Sequence, residues 1–156
     1  MKLQKNSSLA IYSVLEFAAD PTRHISAAEI ADKYGISAHH LAKVLSELVR
    51  AGIVESVRGV GGGYRFAGNA RRLTLMDVIQ TFEVLSPPEG SRREPADLTP
   101  VGNALGAVLA EIDEMAKATL CSITLATMLQ QIERQQRGGV APPDRGRRRP
   151  ARVAKP

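Results

Sequence analysis

The sequence predicts a mainly α-helical fold that contains one two-stranded β hairpin and ends in a long helix. Two short amphipathic segments meet at Gly35, and a glycine-rich run at 59–63 separates two segments of β-type residues. Apolar residues recur at alternating spacings of three and four along 105–119, which is typical of a helix that packs against a partner helix. Since only 4% of the residues are aromatic, the core is expected to be aliphatic.

The first helix is expected over about 7–19. The residue before a proline disfavours the α conformation, so Asp20-Pro21 ends this helix. Its apolar positions follow the i, i+3, i+4, i+7 rule for one helix face, and they are Ile11, Val14, Leu15 and Ala18.

The next two helices form a helix-turn-helix pattern. Ser26 and Glu29 make a capping box, in which each side chain accepts a hydrogen bond from the other residue's backbone N–H. The helix that begins there ends at Gly35, and Ser37 caps the second helix, which ends near Gly52. In this pattern the second helix enters the major groove of DNA.

A β hairpin is expected directly after these helices. Residues 53–58 and 64–67 are β-type, and the run 59–63 between them has four glycines. A hairpin in this position is the wing of a winged helix-turn-helix domain. Thr74 and Asp77 resemble a second capping box, which starts a short helix. We therefore predict a winged helix-turn-helix DNA-binding domain over 1–83.

The remainder divides into a loop, a helix and a tail. Residues 84–98 are rich in proline and charge and are predicted as a loop. Thr99-Pro100 is a typical helix start, and 99–136 is predicted as one long dimerisation helix. Its apolar stripe is too long for the preceding domain to cover, so it requires a partner, most simply a second copy. The predicted dimerisation residues are Leu105, Val108, Ile112, Met115 and Thr119.

The basic charge of the chain lies mainly in residues 137–156, which are predicted to be a disordered tail. This tail carries seven Lys and Arg against one acidic residue, whereas 1–86 carries ten against eight and 87–136 carries four against seven. The tail either holds phosphates non-specifically or is simply a solvated end. Specific DNA binding therefore depends on how the few charges of 1–86 are arranged.

Several observations indicate the cellular compartment in which the protein is expected. No apolar run approaches the roughly 20 residues that span a bilayer, and Glu16 and Asp20 interrupt the N-terminal apolar segment, so a signal peptide is not expected. The single cysteine, Cys121, cannot form an internal disulfide, which fits a reducing environment. We expect a cytoplasmic protein without membrane contact that associates with the nucleoid when bound to DNA.

The sequence around the hairpin resembles the Rrf2 family of bacterial transcriptional regulators. The resemblance extends from Met1 to about Ile132. It implies a homodimer with crossing long helices, recognition helices in successive major grooves of a palindromic operator, and wings over the minor groove. The residues that carry it are Ile36-Ser37, Leu41, Leu48, Gly52-Ile53-Val54, the run SVRGVGGGY at 56–64, and Ile123-Thr124-Leu125.

One departure from the family pattern concerns cofactors. Family members that bind an iron–sulfur cluster carry three cysteines in the loop that corresponds to 84–98, and this loop has none. Some relatives instead use a loop cysteine together with a carboxylate and a histidine of the first helix. This chain lacks the loop cysteine and has Ser8 and Tyr12 where the other two ligands would be expected. A cluster needs about four thiolate or imidazole ligands. We therefore expect no cluster, no other cofactor and no metal site.

Candidate DNA contacts lie on the second helix of the motif and on the wing. Side chains in the first half of that helix reach base edges, although its two histidines are alternatively just solvated. Arg58 either enters a narrow minor groove or is a plain hairpin charge, and the glycines allow the wing a close approach to the backbone. The candidate DNA-binding residues are Lys5, Ser37, His39, His40, Lys43, Arg58, Gly61 and Tyr64.

Other functions find less support. Tyr64 replaces the third glycine of a dinucleotide-binding G-x-G-x-x-G pattern, and a strand follows instead of a helix. No catalytic constellation stands apart from the helix-turn-helix, so an enzyme is not expected. Cys121 is expected to be a buried, inert thiol, with an intermolecular redox switch as the alternative. Repression is the expected mode, and control by a docked metabolic enzyme or by a small-molecule effector stays open.

Overall fold

The computed structural model describes residues 2–83 and 95–138. Residues 84–94 of the predicted loop and 139–156 of the predicted tail lie outside the described residues. The predicted fold class is confirmed, because the described residues form helices, one two-stranded wing and a long C-terminal helix. The elements are α1 Lys5–Ala19, α2 Ala27–Tyr34, α3 Ala38–Arg50, β1 Val54–Val57, β2 Gly63–Phe66, α4 Leu75–Ile79, a 3₁₀ helix Pro95–Leu98, α5 Pro100–Ser122 and α6 Leu125–Arg137.

Helix α1 lies at the centre of the core and is buried on more than one face. It packs against α3, α4, α6 and β2, so the single apolar stripe predicted for it is too narrow. Phe17 is fully buried, and so are the polar residues Ser7 and Ser13. Ser13 donates its hydroxyl hydrogen to the Leu9 carbonyl at 2.8 Å, which satisfies a polar group in apolar surroundings.

Local side-chain chemistry sets the helix starts. In the first capping box, Ser26 accepts from the Glu29 N–H at 3.2 Å, and Glu29 accepts from the Ser26 N–H at 2.8 Å. Thr74 and Asp77 form the second box in the same way. Gly35 ends α2 with a φ of 62°, a left-handed conformation that glycine adopts without strain. Both predicted capping boxes and the tight turn between α2 and α3 are thus confirmed.

The wing is an antiparallel pair that a third segment holds at its side. Val54 pairs with Phe66, and Val57 pairs with Gly63. β1 is therefore shorter than the β-type run 53–58, whereas β2 is as long as the run 64–67 and begins one residue earlier. Ile25, in the α1–α2 connection, forms an isolated antiparallel bridge with Tyr64. Its two N–H···O distances are 2.9 and 2.8 Å. The wing is therefore tied to the start of the helix-turn-helix as well as to α3.

The single helix predicted over 99–136 is two helices. Ile123 and Thr124 are extended between α5 and α6. The cause is tertiary: the Leu75 N–H donates to the Ile123 carbonyl, and the Leu125 N–H donates to the Leu73 carbonyl, each at 2.9 Å. Thr124 also caps α6. These bonds fix the α5–α6 junction to the DNA-binding domain. Within the described ranges, no helix is both long and apolar enough to cross a membrane.

Candidate DNA interface

Helix α3 buries one face and leaves a polar face toward solvent. Ser37 caps the helix by accepting from the His40 N–H. His39 and Lys43 are exposed, and within residues 2–83 and 95–138 no carboxylate lies within ion-pair distance of Lys43. Arg50, by contrast, is paired with Glu47 at 2.7 Å. Lys43 is therefore a cation of α3 that can meet DNA without first breaking an ion pair.

His40 differs from its neighbour His39. It is half-buried, and its Nε2 is shielded from solvent with no hydrogen-bond partner among the described residues. It lines a cavity of about 210 Å³ between the start of α1, α3 and the segment after α4, together with Asn6, Lys43, Val44, Glu47 and Phe82. The helical pattern placed both histidines on the solvent face, because it does not show which part of that face α1 and the post-α4 segment cover.

The same cavity places the start of α1 beside α3. Asn6 and Lys43 both line it, and the residue before Asn6, Lys5, is the exposed first residue of α1. The Gln4 N–H donates to the Glu83 carboxylate at 3.3 Å, which holds this end of α1 near the segment after α4. The predicted contact residue Lys5 therefore lies at an end of α1 that is close to α3.

The wing tip combines an exposed cation with a turn that requires glycine. Arg58 and Gly61 are exposed. Gly61 has a φ of 75°, and Gly63 has a φ of 152°. A Cβ on Gly63 would also lie 2.8 Å from the Ile25 carbonyl oxygen, so a larger residue there would break the contact between wing and helix pair.

Tyr64 has a packing contact in addition to its position on the wing. It is half-buried, and its ring centroid lies 6.2 Å from that of Phe17 in the core. Tyr64 thus fixes β2 on α1. Its predicted contact with DNA would be made only by the part of the side chain that is left exposed.

His24 contacts the wing, although no pattern in the sequence singles it out. Its Nδ1 lies 3.1 Å from the carbonyl oxygen of Gly61 at the wing tip. The two residues are 37 positions apart, and no spacing rule connects them. A histidine shortly before a helix-turn-helix motif is the only signal in the sequence, and it is a weak one.

Helix α5 exposes an apolar face in the single chain. Leu105, Val108, Ile112 and Met115, all predicted for the dimer seam, are each more than half exposed. Thr119 is exposed too, with its hydroxyl donated to the Met115 carbonyl. An exposed apolar patch of this kind is a candidate surface for protein–protein contact. We call it the α5 apolar face, and its members are Val101, Leu105, Val108, Leu109, Ile112 and Met115.

Cys121 is exposed in the single chain, and its expected burial beside the dimer seam stays a prediction. The last turn of α5 contacts the core through Leu120, and the junction contacts it through Ile123. Adjacent residues on a helix point about 100° apart, so Cys121 projects away from the side that Leu120 covers. Its access in a dimer depends on how the partner copy lies against this end of α5.

The residues present do not fit an iron–sulfur cluster. The whole chain has one cysteine and three histidines, and one of these, His24, is bound to the wing. Among the described residues, no three His, Cys, Asp or Glu side chains converge on a site that could hold a metal ion. A cluster takes about four ligands, mostly thiolates. These residues do not supply enough ligands for a cluster, so we derive no role for one in DNA binding.

Comparison with known proteins identifies similar chains along most of the sequence. The pattern of the Rrf2 family, described as iron-dependent transcriptional regulator, matches residues 3–131. The chain is 49% identical over 137 residues to BadM, an HTH-type transcriptional regulator of Rhodopseudomonas palustris, covering 88% of this chain and 86% of that protein. It is 40% identical over 83 residues to protein aau3 of Rhizobium meliloti, covering 53% and 54%.

Two solved structures are similar over nearly their whole length. CymR, the global cysteine regulator of B. subtilis, has a TM-score of 0.69 at 26% identity and covers 84% of this chain and 98% of that chain. IscR of T. potens has a TM-score of 0.70 at 25% identity and covers 91% and 93%. Both extend beyond the DNA-binding domain, so the similarity includes the helices that follow it.

Proposed function

The chain belongs to the Rrf2 family of transcriptional regulators, and from that premise we propose that it is a homodimeric repressor that binds a palindromic operator without an iron–sulfur cluster. It is not an enzyme. The observation that carries the proposal is the joint anchoring of α3 and the wing on one core. β1 follows α3 and packs against it, and β2 is bridged to Ile25 ahead of α2.

Each part of this interface has its own role in the proposal. His39 and Lys43 read base edges in the major groove, because they project from the N-terminal half of α3. Ser37 and Lys5 contact phosphates, which fix the register without reading sequence. Arg58 enters the minor groove and favours narrow, A·T-rich positions, while Gly61 allows the wing close to the backbone. His40 follows His39 in the same turn of α3, so it contributes to base contact only with the part of its half-buried ring that is left exposed.

The α5 apolar face supplies the dimer in this proposal. Two copies packed through Ile112 and its neighbours bury side chains that one copy leaves in water, at about 25 cal/mol for each Å² of apolar surface. A two-fold axis through that seam presents two α3 helices to half-sites about one helical turn apart, roughly 34 Å. The α5–α6 junction holds each helix pair relative to its own α5. We expect such a dimer to act in the cytoplasm.

One observation favours a small-molecule effector as the signal. His40, Asn6 and Phe82 are among the residues that line the cavity beside α3, and Nε2 of His40 has no hydrogen-bond partner among the described residues. A ligand there would contact the recognition helix directly, so it would change DNA affinity by moving α3. Control by a docked metabolic enzyme is the alternative, and a stoichiometric enzyme in a pull-down from native lysate would favour it.

Selection of binding sequences from random duplex DNA, followed by footprinting of the best site, tests the proposed function. A two-fold symmetric site with half-sites about one helical turn apart is expected. Protection of an asymmetric site, or binding without any sequence preference, would contradict it. Repetition with the purified dimer at several protein concentrations shows whether one dimer or two occupy the site.

A further inference from the structure

We propose that His24 is a positioning residue of the wing, which holds the turn at 58–62 in the orientation that DNA binding requires. The inference about DNA rests on the proposed function, whereas the contact between His24 and the turn does not. His24 lies in the connection between α1 and α2, immediately before Ile25, which pairs with Tyr64. It therefore approaches the wing from the side of the helix-turn-helix.

The contact is a hydrogen bond to the backbone of the turn. Nδ1 of His24 lies 3.1 Å from the Gly61 carbonyl oxygen. A carbonyl oxygen only accepts, so Nδ1 carries the proton and donates it. The other ring nitrogen, Nε2, is shielded from solvent and has no partner among the described residues. The single polar contact of this half-buried ring is thus the one that it makes with the wing.

Among the described residues, the strand pair Val57–Gly63 closes the turn, and few other contacts hold the turn itself. Gly62 donates to the Gly59 carbonyl at 3.0 Å, but that bond is internal to the turn. In the described part of the chain, His24 makes the one hydrogen bond that connects 58–62 to a residue outside the hairpin. The glycines allow many backbone conformations, and Gly61 itself has a φ of 75°. An external bond at Gly61 selects one of them.

Fixing the turn matters for Arg58, because this cation begins it. The Arg58 side chain must enter a minor groove about 6 Å wide. If the turn had no fixed conformation, this side chain would occupy many different positions. An ordered turn has already lost that freedom before DNA arrives, which strengthens binding. His24 is therefore expected to affect sequence preference under the wing without touching DNA and without affecting positions under α3.

Three substitutions separate this role from simple packing. His24→Ala removes the donor. In His24→Asn the amide nitrogen stands near the place of Nδ1, so the bond to Gly61 is restored. In His24→Gln the amide is one methylene farther out, near the place of Nε2, where no partner lies. The expected order is therefore wild type and Asn together, with Ala and Gln both impaired.

Two measurements test the proposal. Amide hydrogen exchange in the free protein is expected to be faster at Gly62, by about threefold to tenfold in the Ala and Gln variants, which corresponds to one ordinary hydrogen bond. Affinity for the selected operator is expected to fall by a similar factor. The loss should disappear when the base pairs under the wing are changed to G·C, whereas changes under α3 should weaken all four proteins alike.

The outcomes are distinct. Equal exchange at Gly62 in wild type and His24→Ala would overturn the proposal, and so would failure of Asn to rescue in a folded protein. Faster exchange with unchanged operator binding would overturn the role in DNA recognition. A wild-type protein that binds no operator would refute the proposed function instead, and the exchange rates would still decide whether His24 orders the turn.

Discussion

The hydroxyl of Tyr34 donates a hydrogen bond to the Glu16 carboxylate at 2.5 Å, across the interface of α2 and α1. Nζ of Lys33 lies 2.5 Å from the same oxygen, and the ring of Tyr12 stacks on that of Tyr34 at 5.1 Å. Partial burial opposes the charge of Glu16, but the hydrogen bonds from Lys33 and Tyr34 outweigh it, so the pKa of Glu16 is lowered. Burial and this hydrogen bond raise the pKa of Tyr34.

Glu16→Gln should lower the free energy of unfolding at pH 7 by about 1 kcal/mol, because two charge-assisted hydrogen bonds at a partly exposed site weaken. The lowered pKa means that this stabilisation is present above the unfolded value of about 4.3 and is lost as the pH falls through the folded-state pKa. Urea unfolding at pH 7 and at pH 3 checks both statements. Glu133→Gln, in a loose surface pair with Arg137, is the control. An equal loss at both pH values would contradict the assignment.

Ile112→Asp should break the dimer. The substitution places a carboxylate at the centre of the α5 apolar face, where its partner copy would bury it without a counterion. The dissociation constant is expected to rise by about a hundredfold or more, as measured by sedimentation at graded concentrations. Ala110→Asp introduces the same charge on the opposite side of the helix and should leave the dimer intact. Equal dissociation in both variants would mean that the α5 apolar face is not the dimer contact.

Lys43→Ala should reduce the preference for the selected operator over random DNA by about 1–3 kcal/mol, if Lys43 makes a good bidentate base contact. Competition binding at fixed salt measures this ratio. Arg50→Ala, which removes a cation already paired with Glu47, should change it much less. The recognition helix would be misassigned if both variants behaved alike.

Removal of the residues after Gln136 should act differently from Lys43→Ala. It takes away seven of the chain's 21 Lys and Arg residues, so the salt dependence of binding should become flatter and all DNA should bind more weakly. The ratio of specific to random binding should survive. If removal of the tail abolished this ratio and Lys43→Ala left it unchanged, the tail would be the part of the chain that recognises DNA.

The protein purified without oxygen should be colourless and free of stoichiometric iron and sulfide. With one thiol in the whole chain, a cluster would need ligands that the sequence does not supply. Metal and sulfide analysis together with the visible absorption spectrum decide this. A charge-transfer band that persists after desalting would overturn the expectation.

Cys121→Ser should leave operator affinity unchanged in reducing and in oxidising buffer. The thiol lies on α5, whereas the proposed DNA contacts lie on α3 and the wing, so neither its removal nor its oxidation is expected to change DNA binding. If the wild-type protein lost operator binding on oxidation and the serine variant kept it, Cys121 would be a thiol switch. Non-reducing electrophoresis of the same samples shows whether that switch is a disulfide between copies.

Features set by neighbouring residues were predictable from the sequence, and features set by distant ones were not. Ser26 and Glu29 are three positions apart, so their capping box could be read directly. The break at Ile123 depends on the backbone of Leu75, 48 positions away, and nothing in the local sequence forbids a continuous helix there. The partial burial of His40 likewise could not be predicted, because it depends on Asn6 and Phe82, which approach α3 only in the folded domain.

The α5 apolar face also has a consequence for how the regulator responds to its own abundance. One copy carries a single α3 and a single wing, so it can occupy only half of a symmetric operator. If dimers and single copies exchange at cellular levels, occupancy at low abundance rises with the square of the protein concentration. A twofold change in expression would then change occupancy nearly fourfold. The strength of contact along α5 would set the threshold at which the regulated genes switch.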